Sequence, residues 1–240
     1  MCEDCGCEVE KENHLEEKKV VNVNKSINEI NDHLAHCIWH ALKDKEIFCI
    51  NLLGSPGAGK TTVIEGLSKF ISPSEIAVVQ GDLESDIDKK RLEESGIYTY
   101  QINTHSGCHL NSDMVNKALI SMNLEGKKYL IIENVGNLVC PAGVKIGQHM
   151  DCVVSSTTEG SDKPKKYPVI FIDASVVIIS KSDLIDVVDF DEEMYLRDIK
   201  NINPKVRIVK TSKKDASSFK ELAHVLEHKR EHVLGHSHKH

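Results

Sequence analysis

The chain has 240 residues, 40% of them hydrophobic and 28% charged, enough for one substantial domain with short tails. Its formal charge of −7, from 30 basic and 37 acidic residues, argues against nucleic acid as the main partner. No stretch reaches the ~20 apolar residues of a membrane-spanning helix, and the opening MCEDCGCEVEKE lacks the apolar core of an export signal, so the chain reads as cytoplasmic with no membrane partner. Thiols stay reduced in that compartment, so 8 Cys and 13 His in clusters suggest metal ligands rather than disulfides.

In chain order, residues 1–24 read as a polar, metal-binding tail. Cys2, Cys5 and Cys7 form C-x-x-C-G-C, in which three thiols within six residues can wrap one ion without help from a fold. The charged run Glu8 to Lys19 cannot bury a core and reads as a tether. Residues 25–45 place Ile27, Ile30, Leu34, Ile38 and Leu42 at helical spacing, which predicts an amphipathic helix docked on the rest of the domain. His33, His36, Cys37 and His40 share a face of it, either as a metal site or as a solvated surface. From Ile47 onward strands and helices alternate. Apolar runs at 47–53, 76–80, 97–102, 129–133, 151–156, 175–180 and 206–210 predict strands, and 61–70, 111–124 and 219–233 predict helices. Val and Ile runs without alternation are typical of strands covered on both faces. The expected fold is therefore α/β: a mostly parallel sheet with helices on both faces, forming one domain over 25–235. His236, His238 and His240 close the chain in a His-rich tail (236–240) that either holds metal loosely or has no such role.

Gly54-Ser55-Pro56-Gly57-Ala58-Gly59-Lys60-Thr61 matches G-x-x-x-x-G-K-[ST] in full, after a predicted strand and at the start of a predicted helix that continues through Thr62. Glycines let backbone N–H groups close around phosphate oxygens, and the helix N-terminus adds partial positive charge. Lys60 is expected to reach the β and γ phosphates, and the Thr61 hydroxyl to ligate Mg²⁺. Asp82, after the second strand, and Glu133, ending the fourth, are candidates for the metal or the attacking water; a helix cap or a surface acid is the alternative for each. Ser180-Lys181-Ser182-Asp183 resembles the N-K-x-D base reader of GTPases, with Ser in the first place, and Ser212-Lys213 follows the last strand as a second base-contacting loop. Together they favour GTP over ATP.

Cys108 and His109 precede the helix at 111–124, and Cys140 lies seven residues past Glu133. Two thiolates and an imidazole suit Zn²⁺ or Ni²⁺, but three ligands leave a closed site incomplete. Spacing alone leaves open that Cys140 is a small buried residue and His109 a helix-start hydrogen bonder.

The stretches GSPGAGKTT, GDL, GCHLNSDMV, LIIENVGNLVCPA, EGSDKPKKYP and ISKSDL together make residues 47–213 resemble the hydrogenase nickel-incorporation GTPase family (HypB). The resemblance implies a homodimeric P-loop GTPase of the signal-recognition-like class. It would deliver Ni²⁺ to the [NiFe]-hydrogenase large-subunit precursor with the zinc-binding partner HypA. It also implies that Cys108, His109 and Cys140 are Ni²⁺ or Zn²⁺ ligands at the dimer interface, and that the N-terminal Cys2, Cys5 and Cys7 form a separate nickel site. The urease accessory GTPases share the fold but carry a Cys-Pro-His motif that is not found here. Two further readings are a small-molecule kinase, which lacks its Arg-rich lid here, and a non-catalytic nickel store, against which the intact Lys60 and Thr61 stand.

Overall fold

The computed structural model describes residues 28–82, 87–104 and 107–235. Cys2, Cys5, Cys7, His236, His238 and His240 lie outside the described residues, as does the side chain of Asp82. Seven strands form one sheet in the order β3-β2-β4-β1-β5-β6-β7, and every neighbouring pair is parallel. They are β1 (Phe48–Gly54), β2 (Ile76–Asp82), β3 (Tyr98–Asn103), β4 (Tyr129–Glu133), β5 (Met150–Ser156), β6 (Val176–Ser180) and β7 (Arg207–Lys210). Each falls on a predicted apolar run. β1, β4 and β6 are buried at every residue, which is why they read as continuous apolar runs.

Alternate residues of β1 serve opposite layers. Phe48, Ile50 and Leu52 pack with Val63, Ile64 and Leu67 of α2 (Lys60–Leu67), Leu92 of α3 (Ile87–Glu94), and Phe219, Leu222 and Leu226 of α8 (Ser218–Leu234). On the other face Cys49 joins Ile38 and Leu42 of α1 (28–44) and Val115 and Ala118 of α4 (Ser112–Ser121). Leu53 and Val153 meet Ile170 and Phe171 of α6 (Pro168–Ile172) and Tyr195 and Ile199 of α7 (Glu192–Ile202) on that same face. A short α5 (Lys163–Lys166) precedes α6. Among the described residues no helix is long and apolar enough to cross a membrane.

Four helices, α3, α5, α6 and α7, carry no sequence expectation. In α3 only Leu92 is buried, and α5 and α6 have four and five residues, so a helical stripe has no room to show itself. α7 is started by Asp191, whose side chain accepts from the Met194 N–H at 2.8 Å. α2 ends at Leu67 rather than at residue 70, and Ser68–Phe70 turn off it. Two of the cysteines, Cys49 and Cys152, are core residues of β1 and β5; burial pushes both thiols far up, so they are packing groups.

The sheet order reverses beside β1, which places the β1–α2 loop at the switch point where ligands of such sheets bind. α2 must lie close to α8 to cover that point, and Gly66 permits it: a Cβ there would be driven into the Phe219 ring. Gly66→Ala should therefore destabilise. Overpacking costs about 1–3 kcal/mol and the helix-propensity gain returns at most ~1, so a net loss of about 1 kcal/mol, or roughly 2–4 °C in Tm, is expected. Thermal denaturation of G66A and of G66A/F219L measures it, and the double variant should recover part of the loss. A Tm at or above wild type for G66A would contradict this packing.

Candidate nucleotide and metal site

The loop after β1 has the shape that its glycines were read to permit. Gly57 and Gly59 sit at φ +73° and +95°, in the left-handed region. The first turn of α2 has no side-chain cap, so its leading N–H groups and the positive end of its dipole are left for an anion. Lys60 is buried, and its Nζ donates to the Gly54 and Ser55 carbonyls, both at 3.2 Å. Ser55 Oγ donates to Glu159 Oε2 at 3.2 Å, and burial raises that carboxyl above its ordinary range. A cleft of about 450 Å³ opens above the loop, lined by Lys60, Thr61 and Glu133 and walled by Asp88 and Arg91 of α3. Arg91 is fixed by Glu65 at 2.8 Å and Asp88 at 2.7 Å.

Thr61 and Glu133 meet directly. The Thr61 hydroxyl donates to Glu133 Oε1 at 2.8 Å, and Gln80 Nε2 donates to Oε2 at 3.1 Å. Because the Thr61 O–H is directed at the carboxylate, its oxygen lone pairs are left to face a cation, so this pair fits Mg²⁺. Burial pushes the Glu133 carboxyl up, opposed by the nearby Lys60 charge and by the Thr61 and Gln80 hydrogen bonds.

A second cleft of about 430 Å³ adjoins the first, sharing Gly59, Thr62 and Lys181 as lining. Lys181 adopts φ +54°, and its Nζ donates to the Gly57 carbonyl at 3.0 Å, so its stem lies along the phosphate loop. Asp183 and Lys213 line this cleft. Asp183 Oδ1 accepts from Ser212 Oγ at 2.6 Å and Oδ2 lies 3.2 Å from Lys214, which together hold its carboxyl below the usual range. Ser180, standing where Asn was expected, is buried and donates to the Ala58 carbonyl at 2.5 Å, tying β6 to the loop.

The cysteine-bearing segments follow β3 and β4. Cys108 Sγ is 3.5 Å from His109 Nδ1, and a hydrogen bond with the Cys140 sulfur is the main cause raising the Cys108 thiol above its ordinary value. Cys108 is exposed, and His109 and Cys140 are half-buried. The three are neighbours, yet among the described residues no three His, Cys, Asp or Glu side chains close around one point. Both segments are anchored by asparagines that the sequence reading passed over. Asn134, buried beside Glu133, accepts at Oδ1 from the Leu110 N–H (3.1 Å) and the Val135 N–H (2.9 Å), and donates at Nδ2 to Asn51 Oδ1 (3.1 Å). The Asn137 N–H donates to the Gly54 carbonyl at 3.1 Å, while its side-chain oxygen accepts from the Val139 and Cys140 N–H groups at 2.8 and 3.2 Å. The segment leading to Cys140 is thus bonded to the first residue of the phosphate loop, and the segment after His109 to the residue beside Glu133.

Glu133 also sets a pH dependence. Its pKa in the folded, nucleotide-free chain is raised above the unfolded value, so the fold binds that proton more tightly than the unfolded chain does. The associated stability is present below the ordinary carboxylate range and is lost as pH rises through the raised value. Glu133→Gln carries no charge to desolvate. Its Tm relative to wild type should therefore climb between pH 5 and pH 8 without nucleotide or Mg²⁺, as followed by circular dichroism. A Tm difference independent of pH would show that burial does not strain this carboxylate.

Residues 48–210 match the family described as CobW/HypB/UreG, nucleotide-binding domain. The hydrogenase/urease maturation factor HypB of Helicobacter hepaticus is 37% identical over 221 residues, covering 90% of each chain. The crystal structure of HypB from Helicobacter pylori in complex with nickel superposes with a TM-score of 0.81 at 35% identity, covering 88% of this chain and 98% of that one. The signal recognition particle receptor FtsY of Elizabethkingia anophelis shares the fold alone, with a TM-score of 0.50 at 15% identity over 81% of this chain and 73% of that one. A P-loop NTPase fold, a complete phosphate loop and relatedness across nine-tenths of the sequence lead to one assignment: the chain belongs to the hydrogenase maturation factor HypB group of the CobW/HypB/UreG family.

Proposed function

We propose that the chain is a GTP-hydrolysing nickel metallochaperone, in which the state of the nucleotide gates a metal held by Cys108, His109 and Cys140. The observation that carries this reading is a pair of anchors from the nucleotide cleft to the cysteine-bearing segments: Asn137 bonds to Gly54 of the phosphate loop, and Asn134, beside Glu133, bonds to Leu110. Gly54 to Thr62 cradle the phosphates, with Lys60 leaving the loop carbonyls for the β and γ oxygens as nucleotide enters. Thr61, Asp82 and Glu133 hold Mg²⁺, which when bound neutralises charge developing on the phosphates. Lys181 packs along the base, Asp183 accepts from guanine, and Ser212 and Lys213 support that loop.

Three ligands per protomer leave the ion short, and a two-fold homodimer supplies a second set beside the first. Val139, next to Cys140 and 64% exposed, offers apolar area for that contact. Nickel, or zinc in its place, is cargo here rather than a fixed part of the fold. Residues 1–24 act as a separate nickel-holding tail through Cys2, Cys5 and Cys7, residues 25–235 as the GTPase domain, and 236–240 as a His-rich tail. The partners are HypA and the [NiFe]-hydrogenase large-subunit precursor, and the setting is the cytoplasm.

Turnover of GTP and ATP with Mg²⁺ tests the nucleotide half of the proposal. Wild type should hydrolyse GTP in preference to ATP. Lys60→Ala should lose about 10²-fold or more in kcat, the scale for removing one preorganised donor to the developing charge. Hydrolysis at the wild-type rate in K60A would remove Lys60 from the mechanism, and equal use of ATP would remove Asp183 from base reading.

A further inference from the structure

The His and Cys side chains of α1 form two pairs rather than one cluster. Cys37 Sγ lies 4.0 Å from His33 Nδ1, and His36 Nε2 lies 3.1 Å from His40 Nε2. His36 and His40 are exposed, four residues apart on one helical face, at the rim of a cleft of about 630 Å³. Two imidazole nitrogens this close cannot both carry protons. Either one N–H donates to the other nitrogen, or both lone pairs meet a single cation. At metal–nitrogen distances of about 2.0–2.1 Å, a 3.1 Å separation corresponds to an N–metal–N angle of roughly 100°, between the octahedral and tetrahedral values.

Packing holds this arrangement. The Trp39 ring stands edge-on to His40 at 4.7 Å and to His149 at 4.9 Å between centroids, and the His36 and His40 rings are 4.4 Å apart. His149 is committed elsewhere: its Nδ1 accepts from the Cys49 N–H at 2.8 Å, its Nε2 lies 3.1 Å from the Trp39 carbonyl, and burial lowers its pKa to about 4. Asp32, one turn before His36, lines the same cleft and among the described residues has only Lys145, 3.7 Å away, as an ionic neighbour.

We infer that His36 and His40 form a two-histidine site for a divalent ion of the imidazole-preferring class, Cu²⁺, Ni²⁺ or Zn²⁺, distinct from the Cys108–His109–Cys140 group and from the N-terminal cysteines. Among the described residues no third His, Cys, Asp or Glu closes on the pair, so the remaining coordination positions fall to water and the site is open and exchanges its ion readily. The same cleft is lined by Pro141, the residue after Cys140.

Trp39 is the only tryptophan in the chain, and it touches His40, which makes the site directly observable. Paramagnetic Ni²⁺ or Cu²⁺ bound there should quench its fluorescence saturably, and diamagnetic Zn²⁺ should compete and restore it. The full-length wild type is titrated beside three variants: His36→Gln with His40→Gln, Cys108→Ala with Cys140→Ala, and Cys2→Ala with Cys5→Ala and Cys7→Ala. Saturable quenching should vanish in the histidine variant and persist in both cysteine variants. The histidine variant should keep wild-type GTP turnover and helical circular dichroism, so failure of this site and failure of the nucleotide reading are told apart. Quenching that is unchanged in the histidine variant, or absent in wild type, would overturn the inference and leave His36 and His40 as a hydrogen-bonded surface pair.

Discussion

The end of β4 carries the constraint on which the site depends. There a buried carboxylate and a buried amide, Glu133 and Asn134, stand side by side and face different partners. Glu133 takes hydrogen bonds from Thr61 and Gln80 and so fixes the start of α2 against the sheet. Asn134 uses three of its four hydrogen-bonding positions on Leu110, Val135 and Asn51. The chain of amides continues: Asn51 Nδ2 donates to Asp151 Oδ1 at 2.8 Å, and Gln148 Nε2 reaches both oxygens of Asp151 at 3.1 Å. A polar line thus runs from the end of β4 across β1 to β5. Leaving any buried member unpartnered costs about 1–3 kcal/mol, so the line has few alternative arrangements.

In the proposed function, that rigidity is what would couple nucleotide to metal. Motion of the phosphate loop moves Gly54, and Gly54 is bonded to Asn137, whose side chain in turn holds the Cys140 N–H. Gly136 keeps the same segment close, since a Cβ there would meet the Pro56 backbone at 2.8 Å. Movement at Glu133 moves Asn134 and with it the residue after His109. Both cysteine-bearing segments therefore touch the nucleotide site through a single hydrogen-bonded step, and linkage makes the effect reciprocal: a nucleotide that alters the metal site is itself bound differently when metal is present.

Much of this was legible in the sequence, and the losses have physical causes. Every strand could be read: the central ones, buried on both faces, are nearly continuous apolar runs, and the partly exposed edge strands β3 and β7 still carry aromatic and β-branched residues. The phosphate loop was legible because few residue types tolerate its geometry. Helices α3, α5 and α6 escaped because they are short or mostly solvated, with too few buried positions to show a period, whereas α7 was passed over although Tyr195, Ile199 and Ile202 stand at helical spacing. The cysteine count misled in part, since Cys49 and Cys152 are core residues. Asn134 and Asn137 were passed over because a single asparagine has no spacing signature, although the polar pair Glu133-Asn134 closing the apolar run YLII is a signal in itself. The face of α1 was visible as a histidine cluster, but its division into a 33/37 pair and a 36/40 pair needed rotamers, which spacing does not supply.

The central claim is that nucleotide state and the Cys108–His109–Cys140 group are coupled through Asn134 and Asn137. The most direct measurement is Ni²⁺ affinity by calorimetry, with Mg²⁺ and either GDP or a non-hydrolysable GTP analogue, on the full-length chain carrying Cys2→Ala, Cys5→Ala and Cys7→Ala. The account predicts affinities that differ between the two nucleotides by about 5- to 150-fold, the usual range of such couplings. It also predicts that this difference shrinks in Asn134→Ala, which leaves the Asn137–Gly54 link in place, with circular dichroism checking that the variant is folded. Equal affinities with both nucleotides, or a difference that persists undiminished in N134A, would contradict it.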